Sequence, residues 1–124
     1  MKNLLLAFLV LTSTSVFAQK KADDVAKFNV ETFDFGKIKQ NTPKTATFIV
    51  TNISNDILLI DQANPTCGCT IADYTKTPIA PGKTGIIKAT YDAASLGRID
   101  KTLTVKFAGI EDVKFIKLSG EVTK

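Results

Sequence analysis

The feature that most constrains this chain is an alternation of apolar and polar residues with a period of two. In residues 45–51, Ala46, Phe48 and Val50 share one face, and threonines occupy most of the other. Residues 102–107 repeat the pattern. Because successive side chains of a strand point to opposite faces, such runs predict strands that bury one face. No part of residues 19–124 shows a sustained period of 3.6.

Turn residues separate these runs at short intervals, as at Asn41-Thr42-Pro43 and Pro81-Gly82. A first strand is predicted to end or bend at Gly36, and residues 57–60 are predicted to form a short apolar strand. About seven strand-like runs, with turn signals roughly every 8–12 residues, are typical of a sandwich. The sequence therefore predicts an all-β, immunoglobulin-like β-sandwich of about seven antiparallel strands.

The first 18 residues have the organisation of a cleavable signal peptide. Lys2 gives a positive start, residues 4–11 are apolar, and Val16-Phe17-Ala18 places small residues at the −3 and −1 positions. The apolar run is well short of the roughly 20 residues that span a bilayer. We expect cleavage after Ala18, and no membrane span in the mature chain.

This interpretation divides the chain into three parts. Residues 1–18 are the signal peptide, residues 19–27 a polar, lysine-rich flexible leader, and residues 28–124 one sandwich domain. Removal of 18 of the 124 residues leaves 106, a usual size for a single domain. The expected location is outside the cytoplasm, in the periplasm or the extracellular space.

Charge and composition weigh against several classes of function. The formal net charge is only +4, the lysines are scattered, and Arg98 is the single arginine. Nucleic-acid binders show denser basic patches, so no nucleic-acid partner is expected. The chain has no histidine, which is the commonest acid–base group in enzymes. We therefore expect no enzymatic activity and no cofactor.

A set of short motifs resembles an exported bacterial family. Phe35-Gly36, Cys67-Gly68-Cys69-Thr70, Pro81-Gly82 and Leu118-Ser119-Gly120-Glu121-Val122 occur in that order. They resemble the family called domain of unknown function fifteen-seventy-three, abundant in Bacteroidetes, over residues 28–122. The resemblance implies an exported immunoglobulin-like sandwich similar to ciliary and sperm-surface binding domains. It also implies that Asn52 caps the turn after its strand, although Asn52-Ile53-Ser54 matches a glycosylation sequon.

Cys67 and Cys69, separated by Gly68, are the one constellation that can carry chemistry. In an extended strand their Cα atoms would be about 6.6 Å apart, near the upper limit for a disulfide, and a bend at Gly68 would shorten that distance. Three interpretations stay open: a disulfide that stiffens a loop, a redox-active pair, and a thiolate pair for a soft ion such as Cu(I). One chain lacks the four ligands of a structural zinc site.

The leading functional prediction is a binding or structural module of the cell envelope, with another envelope protein or peptide as partner. A thiol-redox or copper-handling protein that uses Cys67 and Cys69 is the alternative. Binding residues collect in loops, so we expect Cys67, Gly68, Cys69 and Thr70 to form the functional end with neighbouring turns such as Pro81-Gly82. The sequence leaves the oligomeric state open.

Intact-mass spectrometry of the protein from its own cell envelope, trapped with a thiol alkylator, checks the processing and the cysteines together. We expect a chain that begins at Gln19 and carries no alkyl label, because exported cysteines are usually oxidised. A mass that includes residues 1–18 would contradict the signal peptide. Two alkyl labels would show a reduced pair and contradict the disulfide.

Overall fold

The strands of the protein form two facing sheets, as a computed structural model that describes residues 20–124 shows. The predicted signal peptide, residues 1–18, lies outside the described residues. One short helix precedes eight strands: α1 (Ala22–Val25), β1 (Ala26–Phe28), β2 (Thr32–Lys39), β3 (Lys44–Asn52), β4 (Ile60–Pro65), β5 (Thr70–Tyr74), β6 (Thr84–Tyr91), β7 (Gly97–Phe107) and β8 (Lys114–Thr123).

Each sheet contains four strands, in the orders β1-β3-β6-β5 and β2-β8-β7-β4. All pairs are antiparallel except β2 with β8, which is parallel. The predicted all-β sandwich is confirmed, with eight strands instead of about seven. The predicted first strand is in fact two, β1 and β2, because the chain crosses between the sheets at residues 29–31. In the described part of the chain, no helix has the length and apolarity of a membrane span.

The core lies between the inner faces of the two sheets. Along β3 the side chains of Ala46, Phe48 and Val50 are fully buried, as the alternation predicts. Two aromatic pairs join the sheets: Phe28 with Phe107, with ring centroids 6.4 Å apart, and Phe33 with Phe48, 6.2 Å apart. Tilted or edge-on aromatic pairs at such distances add to the stability that burial gives.

The prediction of a flexible leader at residues 19–27 is wrong for residues 22–27. Ala22 and Val25 of α1 are buried, and β1 begins at Ala26. The Ala22 N–H donates to the Asp112 carboxylate at 2.9 Å, which ties the helix to the β7–β8 connection. The lysines make this segment look like an exposed linker in the sequence, although its small apolar residues are buried in the core.

The predicted strand at residues 57–60 is also wrong in its bounds. Leu58 makes an isolated bridge with Ile79, and the strand proper is β4, which begins at Ile60 and continues through Pro65. Ile57 is 68% exposed. Residues 57–60 are apolar because the chain crosses there from one sheet to the other and Leu58 enters the core. They do not form a continuous paired strand.

The predicted bend at Gly36 is a break in the register of β2 against β8, between Asp34 and Lys37. Gly36 has φ of 67°, a conformation that disfavours other residues. Gly120 lies opposite, with φ of 141°, and a Cβ there would be 2.7 Å from the Gly36 carbonyl oxygen. Glycine is therefore required at position 120 by both its conformation and its neighbour.

Asn52, at the end of β3, is 1% exposed and joins three segments of chain. Its Nδ2 donates to the carbonyls of Asp56, at 2.7 Å, and Ile79, at 2.8 Å. Its Oδ1 accepts from the backbone N–H and the hydroxyl of Ser54, at 2.9 and 2.7 Å. The amide caps the turn, as the family resemblance implies, and also holds the approach to β6.

We expect Asn52→Ala to lower the free energy of unfolding by about 2–4 kcal/mol, because buried carbonyls and an N–H lose their partners. Urea unfolding followed by circular dichroism measures the change. Asn55→Ala is the matched control in the same turn; Asn55 is exposed, so a change within about 0.5 kcal/mol is expected. Equal losses in both variants would contradict the role assigned to Asn52.

Candidate functional site

Cys67 and Cys69 form a disulfide in the connection between β4 and β5, with Cα atoms 5.3 Å apart. This connection takes the chain from the edge of one sheet to the edge of the other. The Cα distance is shorter than that of an extended strand, so the predicted bend is present. Gly68 is exposed, and a Cβ there would meet nothing within 4 Å.

Backbone hydrogen bonds hold the connection on both sides of the disulfide. The Thr66 N–H donates to the Thr102 carbonyl at 3.1 Å, and the Asp92 N–H donates to the Cys69 carbonyl at 3.0 Å. The Thr70 N–H faces the Cys67 carbonyl at 3.4 Å, which closes a turn. The ring is therefore anchored to β7 and to the end of β6 independently of the S–S bond.

The side chain of Thr70 lies beneath the disulfide and is almost completely buried, at 4% exposure. Its Oγ1 is 3.8 Å from the Cys67 sulfur and 3.9 Å from the Cys69 sulfur. Both cysteines are half-buried, and Cys69 packs against the hydrophobic core. One hydroxyl thus faces both sulfurs from the protein side.

The structure does not bring Pro81 and Gly82 to this end of the molecule. Thr70 pairs with Tyr91, the last residue of β6, whereas Pro81-Gly82 precedes Thr84, the first residue of that strand. Seven residue steps along a strand separate the two ends by roughly 24 Å. The predicted single functional end, with Cys67–Thr70 and Pro81-Gly82 together, is therefore wrong.

A second candidate surface, which the sequence did not indicate, lies along the outer edge of β1. The Asn29 N–H donates to the Ile49 carbonyl and the Ile53 N–H to the Val25 carbonyl, both at 3.0 Å. Because antiparallel pairing alternates, the N–H and carbonyl of Phe28 then face away from β3.

A groove of about 480 Å³ lies beside this edge. Its lining includes two exposed apolar side chains, Val30 at 39% and Ile53 at 50% exposure. The carboxylates of Asp23 and Glu31 both contact the Lys114 ammonium. These hydrogen bonds, first that of Asp23 and then that of Glu31, raise the pKa of Lys114 above its ordinary value.

Each of the other three sheet edges has a capped N–H, a break in register or a proline. In β5 the Tyr74 N–H is capped by the Asp73 carboxylate at 2.9 Å, and in β2 the Gly36 N–H by Asp34 at 2.8 Å, beside the break in register. The register of β4 also breaks, between Ile60 and Gln62, and its last residue, Pro65, has no N–H. Bulges and prolines are common means of blocking strand addition. The signal in the sequence for α1 and β1 was the set of apolar residues Ala22, Val25 and Ala26 within the supposed leader, just before Phe28.

We expect reduction of the disulfide to lower the free energy of unfolding by only about 1.6 kcal/mol, because a three-residue ring removes little entropy from the unfolded chain. Urea unfolding with and without a phosphine reductant measures the loss. The double variant Cys67→Ser/Cys69→Ser is the control and should not respond to the reductant. A loss above about 3 kcal/mol, typical of a 15-residue ring, would contradict this estimate.

Several solved structures have an architecture similar to that of this protein. The chain has 16% identity and a TM-score of 0.68 with a protein of unknown function from Porphyromonas gingivalis W83, covering 78% of this chain and 46% of that one. It has 10% identity and a TM-score of 0.64 with the ASH/PapD-like domain 7 of human CEP192, covering 82% and 87%. It has 12% identity and a TM-score of 0.61 with the secreted serine protease VesC of Vibrio cholerae, covering 81% of this chain and 24% of that one.

These likenesses show the fold alone, and the chain spans less than half of the Porphyromonas protein and about a quarter of VesC. No functionally curated protein matches the chain. A family model matches residues 26–122, which is most of the chain and includes both cysteines. The chain therefore belongs to the family described as protein of unknown function (DUF1573).

Proposed function

We propose that this protein is an exported, non-catalytic binding or structural module of the cell envelope, in the periplasm or the extracellular space. Its partner is an extended segment of another envelope protein or peptide, which adds to β1 as a further strand. The observation that carries the proposal is the edge of β1, where the outward N–H and carbonyl of Phe28 lie beside an open groove.

The chemistry of this edge favours a polypeptide over a small molecule. The outward N–H and carbonyl of Phe28 can pair with another strand, and strand addition is a recurring mode of peptide recognition. The groove volume of about 480 Å³ lies in the usual range of ligand sites. Val30 and Ile53 offer apolar contacts near the two ends of β1.

The charges around the groove indicate which kind of segment is complementary to it. The single positive charge of Lys114 is shared by the carboxylates of Asp23 and Glu31 at one side of the groove, whereas Lys27 is exposed at the centre of the edge and has no such partner among the described salt bridges. A segment with apolar side chains and a carboxylate opposite Lys27 is therefore complementary to this surface. Because β1 has only three residues, the added strand is short, and the apolar contacts of Val30 and Ile53 must contribute much of the affinity.

The alternative, a thiol-redox or copper-handling protein, is favoured by a different observation, the Thr70 hydroxyl close to both sulfurs. Copper(I) would bind thiolates, so the metal version of this alternative requires the pair in its reduced form. The two functions use different parts of the molecule and can be tested separately.

Site-specific photo-crosslinking in the native cell envelope tests the binding proposal. A crosslinker at Val30 or Ile53 should capture one protein through an extended segment. The matched control is a crosslinker at Ile71, which is 73% exposed on β5 and lies three strand spacings, about 14 Å, across the sheet from β1. Capture through Ile71 with none at Val30 and Ile53 would contradict the proposal.

Hydrogen exchange with a synthetic peptide of the captured segment gives the second measurement. The Phe28 amide should exchange at least about tenfold more slowly when the peptide is bound, because its N–H gains a strand partner. The Ala72 amide, which faces outward from β5 by the same alternation, should not change. Protection of Ala72 in place of Phe28 would move the interface to the other edge.

A further inference from the structure

We propose that Cys67 and Cys69 form a thiol–disulfide exchange site that accepts two electrons from a partner dithiol, with Thr70 as the residue that positions the departing sulfur. This activity goes beyond the proposed binding function. The disulfide lies next to Thr70, which pairs with Tyr91, and Tyr91 pairs in turn with Lys44 at the start of β3. β1 pairs with the other end of β3, so either proposal can fail without the other.

The two sulfurs differ in their surroundings, and the difference assigns their roles. Cys69 packs against the core, and its carbonyl is fixed by the Asp92 N–H. Cys67 lies between two exposed residues, Thr66 and Gly68, and a side chain at Gly68 would meet open space. An incoming thiolate therefore reaches Cys67 more readily than Cys69.

Thr70 supplies a hydroxyl whose described hydrogen-bond contacts are the two sulfurs. A disulfide sulfur is a weak acceptor, whereas a thiolate is a charged acceptor that binds a donor more strongly. Because a hydroxyl can rotate, Oγ1 can donate to whichever sulfur becomes the thiolate. The buried hydroxyl therefore stabilises the reduced form more than the disulfide, and it can stabilise Cys69 when attack on Cys67 makes Cys69 the departing thiolate.

The exchange balances without any further reagent. A thiolate of the partner attacks the Cys67 sulfur, the Cys67–Cys69 bond breaks, and Cys69 leaves as a thiolate that accepts the Thr70 hydrogen bond. The second partner thiol, as thiolate, attacks the partner sulfur of the mixed disulfide and releases Cys67. The two protons of the partner thiols pass to Cys67 and Cys69, so the partner is oxidised to a disulfide and this pair is reduced.

The fold tolerates this cycle because other bonds hold the connection in place. The Thr66 N–H donates to β7, and the Cys69 carbonyl accepts from the Asp92 N–H just after β6, whether or not the sulfurs are joined. A ring of three residues also contributes little to the stability of the fold. A disulfide that stabilises weakly, and whose loss leaves its loop anchored, is suited to exchange.

Equilibration with glutathione buffers tests the role of Thr70. Thr70→Val should shift the dithiol–disulfide equilibrium about tenfold toward the disulfide, and raise the pH at which half of the reduced thiol reacts with an alkylator by about one unit. Thr70→Ser keeps a hydroxyl and should restore both values. Thr66→Val, in the same loop, is the control and should match the unmodified protein.

The fold of each variant is verified by circular dichroism, and Thr70→Ser keeps the test decisive if the valine variant is unstable. Curves for Thr70→Val that superimpose on those of the unmodified protein in both measurements would overturn the positioning role. Identical behaviour of Thr70→Ser and Thr70→Val would also overturn the positioning role, because the hydroxyl would then have no effect.

Trapping of the mixed disulfide tests the direction of attack. The single variants Cys69→Ser and Cys67→Ser are mixed with an unstructured peptide that contains one activated disulfide, and the adducts are counted by mass spectrometry. Cys69→Ser, which leaves Cys67, should form the adduct at least about fivefold faster, because Cys67 is the more accessible sulfur. Equal rates, or faster reaction of Cys69, would overturn the assigned roles.

Oxidation of a reduced two-cysteine peptide by the intact protein completes the test. One peptide disulfide should form for each Cys67–Cys69 pair reduced, and the double variant Cys67→Ser/Cys69→Ser should form none. A pair that remains oxidised in excess reduced peptide would show a disulfide that only braces the loop, and would overturn the proposal.

Discussion

The packing of aromatic rings across the two sheets is the interaction on which the rest of this structure depends. Phe28 of one sheet meets Phe107 of the other, and Phe48 meets Phe33 in the same way. Phe48 and Phe107 are fully buried and are among the largest side chains in the core. These contacts fix the spacing of the sheets, and therefore the positions of the connections that cross between them, including the one that carries the disulfide.

The sequence predicted those parts of the fold in which one face of a strand is buried and the other is exposed to solvent. In β3 and β7 the alternation follows this environment closely, and the buried residues of both were identifiable. In residues 57–60 the run is apolar without alternation, and such short runs do not distinguish a paired strand from a crossing segment. α1 and the first two residues of β1 were missed because exposed lysines and aspartates surround their few buried residues.

For the candidate site, the sequence identified the residues but not their arrangement. The cysteine pair and the capping role of Asn52 could be inferred, since each depends on neighbours close in the chain. The separation of Pro81-Gly82 from Cys67 depends on β5, because loops that flank one strand lie at opposite ends of it. β5 was hard to recognise, because its one large aliphatic residue, Ile71, faces solvent.

The parallel pairing of β2 with β8 has a consequence for the order in which the protein can fold. β2 lies at the edge of its sheet, and its ladder partner is the last strand of the chain. An N-terminal strand that waits for the C-terminal one must close a loop of most of the domain, and such long-range contacts form slowly. The second sheet can be completed only after synthesis has reached β8. The domain therefore acquires its final structure only when its whole length is available, and no N-terminal part of it can complete either the second sheet or the core beneath that sheet.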